Sequence, residues 1–174
     1  NKLSPITPPT GVIALARRPR ITPNQLLNHR PYAPVILLEN LRNLLNIGAA
    51  IRVAAAAEAG GVLTTGTQDP WHPAAAIAAA GLQFALPVTR TDTVPVSNRV
   101  MIAIDPQGQP LGLNTALPSN SIIAFGAERV GLSENILKKA DYHISIPMKP
   151  GVSSLNLATA VSVILYAWRL RLDR

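Results

Sequence analysis

Four short stretches of this chain place polar groups where folding alone would not ask for them. Ala124-Phe125-Gly126-Ala127-Glu128-Arg129-Val130-Gly131-Leu132-Ser133 passes from apolar to polar, as do Ile146-Pro147-Met148 and the following Ser153-Ser154-Leu155-Asn156-Leu157. Each reads as a strand end opening into a polar loop, where a rigid scaffold presents binding and catalytic groups. The fourth stretch runs from Asn46 to Arg52. Gly48 inside an otherwise helical segment costs about 1 kcal/mol relative to alanine, which implies a close approach by another backbone or a ligand. Arg52 stands among Ile51, Val53 and alanines. An unpaired guanidinium is costly to bury there, so it either snorkels to solvent or faces a polar cleft.

Other chemistries are excluded or unsupported. The chain has no cysteine, which removes disulfides, thiolate catalysis and Cys-based zinc sites. His29, His72 and His143 are far apart without metal-ligand spacing, so no metal is expected, and no Ser-His-Asp order is present. The residues after Glu39 lack the glycines of a dinucleotide-binding turn, and no P-loop occurs. Ordinary structural roles also exist for the polar set. Glu128 can pair with Arg129 or Arg52, and Ser154 and Asn156 can cap a helix.

These residues need a scaffold, and the pattern supplies an α/β one. Pro34 to Glu39 is a continuous, β-branched run suited to a strand buried on both faces of a parallel sheet. A helix over Ile47 to Ala59 ends at Gly60-Gly61, followed by a strand at Val62 to Thr65 and a helix from Ala74 to Ala80. Strands are expected at Phe84 to Thr89, Val100 to Ile104, Ser121 to Phe125 and Tyr142 to Ile146. Helices are expected near Glu134 to Ala140 and from Ser154 to Leu170. This alternation indicates βαβ units and a mostly parallel sheet flanked by helices. Residues 105 to 120 read as a loop, Gly11 to Ala16 as a short strand, and residues 19 to 34 as irregular.

At 174 residues the chain is long enough for one well-buried domain, here 34–174, with residues 1–33 as an N-terminal extension packing on it. The net charge of +7 favours a polyanionic partner such as nucleic acid. Residues 1 to 30 hold Lys2, Arg17, Arg18, Arg20 and Arg30 without an acid, a candidate surface for tracking phosphates. Arg169, Arg171 and Arg174 form a second cluster that could equally complement a helix dipole. The uncharged run Pro150 to Trp168 is interrupted by Ser153, Ser154, Asn156, Thr159 and Ser162, which fits a buried helix better than a membrane span. No signal peptide is visible, and the expected location is the cytoplasm.

Taken together, Asn46-x-Gly48-Ala49-x-x-Arg52, Phe125-Gly126-x-Glu128-x-x-Gly131-Leu132-Ser133, and Ile146-Pro147-Met148 with Ser154-Leu155-Asn156 resemble three motifs of one family. They look like the signatures of SpoU-type (TrmH-like) RNA methyltransferases of the SPOUT superfamily, over about Pro34 to Trp168. The resemblance implies a C-terminal deep trefoil knot, a rare exception to the connection rules. It implies S-adenosylmethionine bound at Phe125, Gly126, Ile146, Met148 and Leu155, and a homodimer with Arg52 acting across the interface. Asn46, Glu128, Ser154 and Asn156 would shape the catalytic pocket. The implied reaction is methyl transfer to a ribose 2′-hydroxyl of tRNA or rRNA, in which orientation and help with proton removal supply much of the rate. Arg17, Arg18, Arg20 and Arg30 would hold the RNA backbone. The alternatives are a SPOUT enzyme acting on a base and a noncatalytic RNA-binding module. Leu44, Val53 and the Ala59-Gly60 pair depart from the family pattern beside the matched positions.

Overall fold

A computed structural model describes residues 10–12 and 16–172 of the chain. Its centre is a sheet of six strands, all parallel: β1 (Val35–Leu38), β2 (Gly61–Thr64), β3 (Val88–Arg90), β4 (Val100–Pro110), β5 (Ser121–Phe125) and β6 (Tyr142–Ser145). The strand order is β3-β2-β1-β5-β4-β6. β1 lies between β2 and β5, and all four of its side chains are buried. Its lack of polar alternation is therefore the signature of a strand covered on both faces.

Ile36, Leu38, Val62, Ile123 and Phe125 turn to one face and pack with α2 (Leu44–Ala56), α3 (Pro73–Ala78) and α5 (Leu157–Leu172). Val35, Leu37, Leu63, Ile122 and Ala124 turn to the other, under α1 (Pro23–His29) and α4 (Glu134–Lys139). Gly48 is explained by α3. A Cβ there would lie 2.2 Å from the carbonyl oxygen of Ala75, so the glycine permits two helices to touch. No helix among the described residues is long and apolar enough to cross a membrane.

The structure corrects several sequence expectations. α1 occupies part of the stretch read as irregular, opened by a capping box in which Thr22 and Gln25 exchange hydrogen bonds, with Pro23 at the first position. α2 begins at Leu44 rather than Ile47, because the Asn43 side chain accepts from the backbone N–H groups of Leu45 and Asn46. The strand expected at Phe84 to Thr89 is divided. Left-handed Gly81 leads into a 3₁₀ turn, Leu82–Phe84, and the strand is confined to Val88–Arg90.

β4 continues through residues expected to be a loop. It pairs with β6 up to Ile104↔Ile144, bulges, and resumes at Gln109↔Ile144 and Pro110↔Ser145. Gly108 makes this possible, since a Cβ there would lie 2.5 Å from the backbone of His143 and Ile144. Of the strand expected at Gly11 to Ala16, residues 13–15 lie outside the described residues, as do Lys2 and Arg174.

Candidate active site

In a parallel sheet every carboxyl end points the same way, and the carboxyl ends of β1, β4, β5 and β6 gather the polar motifs on one edge. A cleft of about 720 Å³ opens there. Phe125 and Gly126 line it from the end of β5, Ile146 and Met148 from the segment after β6, and Ser154, Leu155 and Asn156 from the approach to α5. Glu128 and Arg129 stand in the loop that follows β5, and Asp105 enters from the β4 bulge.

The loop from Gly126 to Ser133 is folded back on itself. Ala127 and Gly131 form an antiparallel bridge, with Gly131 N–H donating to the Ala127 carbonyl at 2.8 Å. Gly126 is required by this packing, because a Cβ would sit 2.1 Å from the carbonyl carbon of Gly131. Arg129 at the tip has φ +68°, a left-handed conformation uncommon outside glycine and asparagine. The loop closes at Ser133, which caps α4 by accepting from Ile136 N–H and donates to Glu39 at the end of β1.

A polar chain crosses three of the motifs. The Asn46 amide of α2 donates to Glu128 Oε1, and Asn156 donates to Asn46 Oδ1 at 3.4 Å. Asn156 also accepts from Ala158 N–H at 2.9 Å, so it caps α5 while joining this chain. The two roles weighed for Asn156 are thus compatible. Glu128 takes neither of its expected arginine partners; Asn46 occupies that place. One carboxylate oxygen of Glu128 has no partner among the described residues, and the side chain is exposed to the cleft.

Eight of the ten residues expected at the catalytic and cofactor positions line the cleft, and Asn46 is bonded to two of those. Arg52 is apart. It projects to solvent from α2 on the exposed stripe with Leu45 and Ala56, and has no hydrogen-bond or ion-pair partner among the described residues.

Arg17, Arg18 and Arg20 line a second, open groove of about 1060 Å³ beside Val88 and Thr89 of the edge strand β3. Arg18 is engaged within the protein, paired with Asp69 at 2.8 Å and lying over Trp71 at 5.4 Å. Arg30 does not line this groove; it is exposed after α1. Arg169 and Arg171, of the C-terminal cluster, hold structure. Arg169 pairs with Glu58 at 2.5 Å, and Arg171 donates to the carbonyls of Gly112 and Thr115.

Sequence reasoning missed two buried polar residues, one that braces the loop at the cleft and one that ties the N-terminal segment to the sheet. Glu39 is 7% exposed and accepts both the N–H and the hydroxyl of Ser133, each at 2.7 Å. Its position at the end of a buried strand was the available sign. Arg99 is 8% exposed and donates to the carbonyls of Leu27, Arg30, Ala33 and Ser121. Burial lowers its pKa from the ordinary arginine value. No group of His, Asp and Glu residues able to hold a metal ion occurs among the described residues.

Comparison with known proteins places this geometry in a family. Residues 33–166 match the SpoU rRNA Methylase family. Over 97% of its length the chain is 31% identical to an uncharacterized tRNA/rRNA methyltransferase of Synechocystis sp., of which it spans 63%. A 53-residue stretch, 30% of the chain, is 53% identical to the tRNA (cytidine/uridine-2′-O-)-methyltransferase TrmJ of Pectobacterium atrosepticum, covering 22% of that protein. The fold matches the SpoU methyltransferase AviRb of Streptomyces viridochromogenes, crystallised in complex with AdoMet, with a TM-score of 0.76 and 27% identity over 83% of this chain and 59% of that one. With matching motifs, fold and sequence over most of its length, the chain belongs to the SpoU rRNA Methylase family.

Proposed function

We propose that this protein transfers a methyl group from S-adenosylmethionine to a ribose 2′-hydroxyl of tRNA or rRNA. The observation that carries the reading is the polar chain Asn46–Glu128–Asn156 at the rim of a cleft bounded by Phe125, Gly126, Ile146 and Leu155. The family, and the ribose specificity in the name of the TrmJ relative, support it further.

The cleft fits the methyl donor. Its volume of about 720 Å³ lies within the roughly 300–1,000 Å³ usual for small-molecule sites. Its apolar lining from Leu132, Ile146 and Leu155, beside the main chain at Gly126, suits a nucleoside with few polar anchors. When bound, S-adenosylmethionine supplies an electrophilic methyl carried on a sulfonium. The protein's task is then to orient a hydroxyl and assist departure of its proton. Asn46 holds one oxygen of Glu128, leaving the other to accept a hydrogen bond from the ribose. Asn156 fixes Asn46 in turn, and Ser154 adds a hydroxyl to the same wall.

Arg52 enters from a second copy of the chain in this reading, completing the pocket of a homodimer. Its exposure and lack of a partner support that role. Residues 34–174 form the catalytic domain and 1–33 the extension, supported by the seating of Leu26 and Leu27 of α1 against the sheet. The C-terminal segment forms a trefoil knot. Supporting this, it leaves β6 at the sheet edge, returns to the cleft at the end of β5, and continues into α5, whose end is gripped by the loop holding Gly112, Thr115 and Ser119.

The test is incubation with methyl-labelled S-adenosylmethionine and unmodified total RNA, followed by digestion to nucleosides. Label on a ribose 2′-oxygen is expected. Label on a base would assign the protein to base methylation. Salt-sensitive RNA binding without transfer would make it a binding module.

A further inference from the structure

Among the described residues, Arg129 is the one basic side chain lining the cleft, where the other charged residues are Asp105 and Glu128. Both carboxylates have protein partners. Asp105 accepts from Gln107 N–H and faces His143 at 3.7 Å, while Glu128 accepts from Asn46. Arg129 has no hydrogen-bond or ion-pair partner among the described residues, although Glu128 is its neighbour in sequence. Folding therefore supplies no electrostatic reason for an arginine here. The backbone supplies a reason against one, since φ at +68° favours glycine.

We propose that Arg129 binds a phosphodiester of the RNA next to the target ribose, and so seats the nucleotide against Glu128. The inference rests on the methyltransfer reading above. Position decides between the anions that could enter the cleft. Phe125 and Leu132 are buried in its floor, whereas Arg129 and Val130 are exposed at the tip of the loop, beside the polar chain where a hydroxyl would sit. A backbone phosphate lies one or two bonds from every ribose, and a guanidinium can grip it with two parallel N–H donors. The contact fixes position without reading a base. It is distinct from the Arg17 and Arg20 groove beside β3.

The experiment measures methyl transfer from labelled S-adenosylmethionine into unmodified total RNA at several salt concentrations, for wild type, Arg129→Gly and Arg129→Lys. Glycine accepts the left-handed backbone, so the fold is not placed at risk. Arg129→Gly is expected to raise the apparent KM for RNA roughly three- to tenfold and to flatten its log–log salt dependence by about one. The KM for S-adenosylmethionine should stay within about twofold, and Arg129→Lys should restore the salt dependence but only part of the KM for RNA, since an ammonium keeps the charge without the paired donors. An unchanged KM for RNA in Arg129→Gly would overturn the proposal. So would a raised KM for S-adenosylmethionine alone, which would give the guanidinium to the donor's carboxylate. Absence of transfer by the wild type would overturn the methyltransfer reading and this inference with it, a result distinguishable from either.

Discussion

The carboxylate of Glu39 takes both the backbone N–H and the hydroxyl of Ser133, 94 residues away, at 2.7 Å each. This pair ties the end of the most buried strand to the closing residue of the loop that carries Gly126, Glu128 and Arg129. Glu39→Ala removes both acceptors and leaves the N–H and the hydroxyl of Ser133 without this partner. It is expected to lose about 1–3 kcal/mol of stability in urea unfolding. A raised KM for S-adenosylmethionine at temperatures where the protein is fully folded would show that the bond positions the loop. Unchanged kinetics would confine Glu39 to stability.

Gly126 separates the cleft from the fold as a target. A Cβ there meets the carbonyl carbon of Gly131 at 2.1 Å and Leu132 N at 2.3 Å, backbone atoms that cannot rotate away. Gly126→Ala should displace the loop and abolish S-adenosylhomocysteine binding in calorimetry. By contrast, nothing lies within 4 Å of a Cβ at Gly81, where only φ of +77° resists a side chain. Gly81→Ala should therefore cost about 1–2 kcal/mol and leave binding intact.

Arg99 is a buried cation without a carboxylate partner among the described residues, stabilised by the carbonyls of Leu27, Arg30, Ala33 and Ser121. These carbonyls belong to α1, the turn after it and the start of β5, so one side chain anchors the N-terminal segment to the sheet. Arg99→Met should orphan several of them and destabilise the protein by about 3 kcal/mol or more in denaturant. Limited proteolysis should then cut first before residue 34. Burial lowers the folded pKa below the unfolded value, so the charged form is the one penalised and deprotonation would relieve that cost. The change falls in strongly alkaline solution, and the Arg99 contribution should be flat between about pH 5 and 9.

The central sheet was legible because β1, β2 and β5 are short apolar runs separated by glycines and alanine-rich helices. The candidate cleft was legible because Glu128 is a poor choice for packing alone and because Gly126 and Asn156 fall in motifs that resemble those of one family. What escaped was set by tertiary context. Thr22 and Gln25 spell a capping box, yet α1 has only seven residues and depends on Leu26 and Leu27 reaching the sheet. Pro106, Gly108 and Pro110 read as turn residues, and only β6 alongside makes their segment a bulged strand. Glu39 and Arg99 each bind partners distant in sequence, which no local pattern discloses.

Arg52 tests whether the site is shared between two copies. On α2 it points to solvent, outside the cleft that Asn46 helps to close from the same helix. If the guanidinium acts within its own chain, mixing Arg52→Ala with Gly126→Ala yields no active site, since every chain lacks one component. If it acts across a dimer, each mixed dimer pairs an intact cleft with an intact arginine at one of its two sites. Random exchange of equal amounts should then restore roughly a quarter of the wild-type rate. Each variant alone should be nearly inactive, with Arg52→Ala retaining S-adenosylhomocysteine binding because its cleft is untouched. Recovery on mixing requires the solvent-facing arginine to reach a partner's Glu128, whereas no recovery from exchanging, folded dimers would return Arg52 to its own subunit.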